Sequence, residues 1–178
     1  RNRSTMEFEG DHPVVNNLED DIRPVLSIER NLERVPRDKR SILIDRLSRG
    51  EFQEAEEEAS EVFDNMERYY SFVADVVELF QSRHVQRAIR HQHKALNGPN
   101  EYEKSKKHLE RSKKDIERAD KEMDKAKRIM DHYSHKLHQA KDRKDIFEDL
   151  VESFSTRKEQ LNELRNIQSN FEGFEPSS

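Results

Sequence analysis

The chain has 178 residues, of which 40% are charged and only 31% hydrophobic, with a net charge of −5. A compact globule usually carries an apolar fraction nearer half, and no apolar run approaches the roughly 20 residues of a membrane span. The absence of cysteine excludes disulfides and thiolate metal sites. Sustained periodicity, described below, argues against disorder. Long helices burying narrow stripes reconcile low hydrophobicity with order. No signal-peptide pattern is visible, which points to an intracellular, cytoplasmic protein with room for a peripheral place on a membrane. The start at Arg1, without methionine, fits a fragment or a processed form.

Charge is segregated along the chain. Residues 1–80 carry 11 basic against 20 acidic side chains, residues 81–144 carry 19 against 10, and residues 145–178 carry 3 against 8. Seven of the eight histidines fall in the basic middle. An acid–base–acid chain suggests that the middle meets an anionic partner.

In chain order, residues 1–12 lack periodicity and read as a disordered lead-in, 13–172 as one helical coiled-coil domain, and 173–178 as a disordered tail. Residues 16–35 predict a first helix with Leu18, Ile22, Val25, Ile28 and Leu32 on one side, and Pro24 either kinks it or lies near its start. Pro36 opens a short second helix that Gly50 ends. From Phe52, the positions Phe52, Ala55, Ala59, Val62, Met66, Tyr69, Val73, Val76 and Phe80 alternate in steps of three and four, a heptad seam. Phe63, Tyr70 and Val77 form a second stripe at seven-residue spacing, so this third helix needs more than one partner. The seam then shifts to Val85, Ala88, Ile89, Gln92 and Leu96.

Asn97-Gly98-Pro99 breaks the helix, and Asn100 with Glu103 has capping-box spacing. The loop is tight, which predicts an antiparallel pair with residue i facing roughly 197 − i. A fourth helix is predicted over 100–171, gently bent near 141–145 where Lys144 takes a core position. Its seams hold Leu109, Ile116, Met123, Met130 and Leu137, and Ser112, Ala119, Ala126, Tyr133 and Phe147. Unbroken it spans about 110 Å at 1.5 Å per residue. Residues 146–171 then project past Phe52 and need a second chain to cover Ile146, Phe147, Leu150, Val151 and Phe154. The expected fold is therefore all-α: an elongated antiparallel helical hairpin or coiled-coil bundle of two long helices with two short N-terminal ones. It is expected to be a homo- or heterodimer, with Phe72, Val76, Phe80, Phe147, Leu150, Val151, Phe154 and Leu161 in the core or dimer interface.

The run "MERYYSFVADVVELFQSRHVQRAIRHQ" (66–92), the basic turn, and "KDRKDIFEDLVESFSTRKEQLNELRNI" (141–167) resemble the second and third helices of BAR domains, the sorting-nexin type most closely. The resemblance covers about 100 residues in pattern and order. It implies a dimer that binds anionic, curved membranes through basic residues. Residues 13–50, broken by Pro24, Pro36 and Gly50, depart from the long first helix of that family. Residues 47–59 look more like a short helix–turn–helix of the tetratricopeptide kind.

The candidate anionic-surface residues are Arg83, Arg87, Arg90, Lys94, Lys104, Lys106, Lys107, Arg111, Lys113 and Lys114, facing only Glu101, Glu103, Glu110 and Asp115. Each basic side chain at an anionic lipid surface contributes about 1 kcal/mol. The bland alternative is a solvated helix face, laced by Glu110–Lys114, Glu117–Lys121 and Asp124–Arg128 pairs at i,i+4. Nucleic acid ranks below membrane, because only Tyr102 and Tyr133 could stack bases within 81–144. His132, His135 and His138, with Asp131, have helical metal-ligand spacing but no converging fourth ligand, so no metal is expected. Histidines on a basic surface would add positive charge below about pH 6.5 and strengthen anion binding.

Neither a glycine-rich phosphate loop, a nucleophile elbow nor an HExxH helix occurs, so no enzyme and no cofactor are expected. Two functions remain: a BAR-like module of membrane trafficking or remodelling, or a structural coiled-coil scaffold or adaptor that binds other helical proteins.

Overall fold

The computed structural model describes residue 18 and residues 24–98, 101–139 and 144–172; the predicted lead-in and tail lie outside them. The described residues form helices only: α1 (Pro24–Leu32), α2 (Arg37–Ser48), α3 (Phe52–Val62), α4 (Met66–Asn97), α5 (Tyr102–Gln139) and α6 (Lys144–Glu172). The fold is all-α, as expected, but its architecture is a three-helix bundle rather than a hairpin.

Local chemistry sets the element ends. Gly50 closes the α2–α3 turn at φ +76°, a conformation that glycine adopts without strain. Phe52 does not lead into an unbroken helix through Phe80. Phe63 leaves α3 in extended conformation, and the Asn65 side chain caps α4 by accepting from the Arg68 N–H at 3.0 Å. Gly98 ends α4; a Cβ there would run into the Lys94 carbonyl oxygen.

The helix predicted over 100–171 is two helices, and α6 folds back along α4 and α5 instead of projecting beyond them. Gln81 Nε2 donates to the Leu150 carbonyl at 3.1 Å, and Gln92 Nε2 to the Leu164 carbonyl at 2.8 Å. These bonds fix α6 parallel to α4. Lys113 reaches Glu172 at 3.2 Å and Arg165 pairs with Asp120, tying α6 to α5. Part of the covering that a second chain was expected to supply comes from the same chain: Leu150 is buried, and Ile146, Phe147 and Phe154 are partly so.

Three apolar layers run along the bundle. At the base, Tyr69, Phe72, Val73, Val76, Val77 and Phe80 of α4 meet Ile129, Tyr133 and Leu137 of α5, with α1 and α2 packed on the outside. The Tyr69 and Tyr133 hydroxyls share a buried hydrogen bond of 2.7 Å. In the middle, Val85 and Ile89 join Ile116, Met123, Leu161 and Leu164. Near the turn, Leu96 and Leu109 are closed over by Ile167 and Phe171 of α6. Full burial of each such side chain contributes about 1.5–3 kcal/mol.

Of the predicted interface residues, Phe72, Val76, Phe80, Leu150 and Leu161 are therefore core within one chain. Phe147 and Phe154 are half-buried, and Val151 is 46% exposed. Antiparallel pairing of α4 and α5 holds, with a register slightly beyond the expected sum of 197: Tyr69 meets Tyr133 and Arg83 meets Glu122.

Candidate functional site: a histidine-lined basic groove

Two series of polar residues at seven-residue spacing face each other across α4 and α5. On α4 they are His84 and His91, which continue the Phe63–Tyr70–Val77 stripe toward the turn. On α5 they are His108, Asp115 and Glu122, which lead into buried Ile129. One surface line is thus apolar at the base and ionisable at the turn. It lies on the flank opposite α6, because the α5 residues that bind α6, Lys113 and Asp120, project from the other side of that helix.

From the base upward the groove is a ladder. Glu122 receives a fork of hydrogen bonds from Arg83, Nε to Oε1 at 2.8 Å and a second from the terminal nitrogen. His84 stands between Glu122 and Asp115, each 3.4 Å from one ring nitrogen. Asp115 also faces Arg118 at 3.6 Å and His91 Nε2 at 3.7 Å. His91 then stacks on His108, centroids 5.9 Å apart and planes 23° apart. Asp115 and Glu122 are buried, so their charge lies beneath the surface.

Burial pushes the His84 imidazole below its ordinary pKa; Glu122 and Asp115 oppose the shift, while Arg83 and Arg87 add to it. His91 is likewise lowered by burial, against Asp115, with His108, Lys94 and Arg111 adding to the shift. His108 is lowered by burial and then by Arg111 and Lys94, with no carboxylate opposing. Each shift is downward, so these three imidazoles take up a proton at a lower pH than free surface histidines would.

The structure divides the ten predicted surface cations. Arg83 is held by Glu122, Lys104 by Glu101 at 3.4 Å, and Lys113 by Glu172. Arg87, Arg90, Lys94, Lys106, Lys107, Arg111 and Lys114 are exposed, and none is in an ion pair among the described residues. None of the three predicted i,i+4 pairs on α5 forms among the described residues; Arg128 instead donates to the Ser48 carbonyl at 3.4 Å. Among the described residues, no group of three or more His, Asp or Glu is arranged to hold a metal. His132 stacks on Phe52 and His138 packs on Phe147, both at the base.

Sequence reasoning missed the groove histidines and their buried acids. The signal was available: 84/91 and 108/115/122 recur every seven residues beside the apolar seams. At the opposite end, a cleft of about 1090 Å³ lies between the α1–α2 and α3–α4 connections, lined by Arg34, Arg68, Asp64, Glu67 and Asp75 among others. No described helix is long and apolar enough to cross a membrane. No family model, curated protein or solved structure matches the chain.

Proposed function

We propose that the chain is a non-catalytic helical module that docks peripherally on an anionic membrane surface through the turn end of the α4–α5 flank, the activity that its BAR-like pattern implies. One observation supports this reading above others. Seven exposed cations, Arg87, Arg90, Lys94, Lys106, Lys107, Arg111 and Lys114, are in no ion pair among the described residues. The nearby carboxylates are buried or already engaged, except the exposed Glu103, Glu110 and Glu117. If four of the seven reach the surface together, the gain is about 4 kcal/mol, close to a thousandfold in affinity.

Co-sedimentation with neutral and anionic vesicles tests it, at about 0.1 M and about 1 M salt. Binding only to anionic vesicles, lost at the higher salt and in a variant with Arg87, Arg90, Lys94, Lys106, Lys107 and Lys114 changed to Glu, supports the reading. Unchanged binding by that variant, or none by the wild type, removes it. Helicity of the variant, checked by circular dichroism, separates lost binding from lost fold.

A scaffold role has its own support. Phe147, Val151 and Phe154 share one side of α6, with Val151 46% exposed and both rings half-buried. A second helical chain packed there would make a dimer. Sedimentation equilibrium of wild type and Val151→Glu decides it, and a monomer at all concentrations removes self-association.

A further inference from the structure

We infer that the turn end of the α4–α5 groove is a discrete binding site for a phosphomonoester, with Lys94, His108 and Arg111 touching the phosphate and His91 positioning His108. The inference rests on the surface reading above and names the chemistry that this flank selects.

Placement comes first. His91 and Lys94 are three apart on α4, and His108 and Arg111 are three apart on α5, so each pair shares a helix face. The stacked imidazoles at 5.9 Å bring the two faces together. With the helices antiparallel, Lys94 lies toward the turn from the stack and Arg111 lies away from it. Two cations therefore bracket one imidazole pair.

Charge compensation stops at this level. Lower in the groove, Arg83 and Arg118 each have a carboxylate, and His84 has two. The uppermost acid of the groove line itself, Asp115, is buried and is shared among His84, Arg118 and His91. Lys94 and Arg111 have no ion pair among the described residues, and no carboxylate is among the groups acting on His108. The Nδ1 atoms of His91 and His108 are buried without a hydrogen-bond partner. A buried N–H left without an acceptor costs more than an idle lone pair, so each neutral ring keeps its proton on Nε2. His91 Nε2–H is directed to Asp115. His108 Nε2–H remains as a donor beside the two cations.

One guanidinium fork, one ammonium and one imidazole N–H match the three terminal oxygens and double charge of a phosphomonoester. A phosphodiester, with one charge and two free oxygens, leaves donors unused. The phosphate could belong to a phosphorylated inositol headgroup or to a soluble phosphate, and the experiment distinguishes them.

Binding is measured to vesicles of phosphatidylcholine with phosphatidylserine, and with phosphatidylinositol 4-phosphate at matched surface charge. Inorganic phosphate and soluble inositol phosphate are titrated while the His108 ring resonances are followed by NMR. The expected result is at least fivefold tighter binding to the phosphoinositide vesicles and a rise in the His108 pKa on occupancy. The preference disappears in His108→Ala/Arg111→Ala, whereas Lys106→Ala/Lys114→Ala weakens both vesicle types by one common factor. A His108 response to soluble phosphate at micromolar concentration assigns a free phosphate; a response requiring the lipid assigns a headgroup. Equal binding to both vesicles with His108 unmoved overturns the discrete site and leaves the surface reading standing. Failure to bind either vesicle, with His108 still responding to soluble phosphate, overturns the surface reading alone. Silence in every arm overturns both.

Discussion

The return of α6 along α4 and α5 can be tested by replacing Lys113 and Glu172 with cysteine in a chain that has no other cysteine. The two side chains form an ion pair of 3.2 Å, and both are about half exposed. Its loss therefore costs at most about 1 kcal/mol, and the double variant keeps the native fold. If α5 and α6 were one straight helix, the 59 residues from 113 to 172 would separate the labels by about 90 Å at 1.5 Å per residue. In the bundle the same positions touch. Donor and acceptor dyes placed there should transfer energy efficiently, and the transfer should survive a large excess of unlabelled chain. Low transfer would refute the fold-back. Transfer abolished by unlabelled chain would mean that α6 packs on another copy, and the intramolecular bundle would be wrong.

Other consequences are testable on the same material. Leu164 is completely buried between α4 and α5; Leu164→Ala should cost about 3 kcal/mol in urea unfolding, and a loss below about 1 kcal/mol would show that the site is not core. Gly50→Ala places a Cβ at φ +76° and should destabilise by roughly 1 kcal/mol, whereas no change in the urea midpoint would mean the turn relaxes. The lowered pKa values of His84, His91 and His108 mean that the unfolded chain takes up protons more readily than the folded one. Their contribution is intact above the unfolded value near 6.5 and is lost as pH falls from there through the folded values. Stability should thus drop as pH falls below about 6.5, and a triple His→Gln variant should flatten that slope; an unchanged slope would reject the assignment.

Much of the fold was legible as spacing. The α4–α5 pairing, the turn at Gly98 and the helix stop at Gly50 follow from heptads and two glycines. The reversal between α5 and α6 was not legible, because residues 139–144 hold neither glycine nor proline and the heptad continues through them. Apolar spacing records which face is buried, not which partner buries it. Gln81 and Gln92 illustrate this: as seam residues they are neutral, and only their bonds to the Leu150 and Leu164 carbonyls give α6 its place. The break at Phe63 was masked in the same way, since the seam runs through it while Asn65 caps a new helix. For the site, the cations were legible as a cluster but not their partners. Arg83 is held by Glu122, 39 residues away in sequence, and pairing at that range has no local signature.

Because α6 lies opposite the groove, the basic middle and the acidic end of the chain fold into two unlike sides. Residues 145–178 carry 3 basic and 8 acidic side chains, and α6 holds most of them behind the cationic flank. The molecule is thus a net anion with one positive side. At about 0.01 M salt the Debye length is about 30 Å, so an anionic membrane senses the total charge of −5 and repels it. At about 0.1 M salt the Debye length shrinks to about 10 Å, roughly one helix diameter. The acids on the far side are then screened while the near cations still act. Attachment should be strongest at an intermediate ionic strength and fall away on both sides of it.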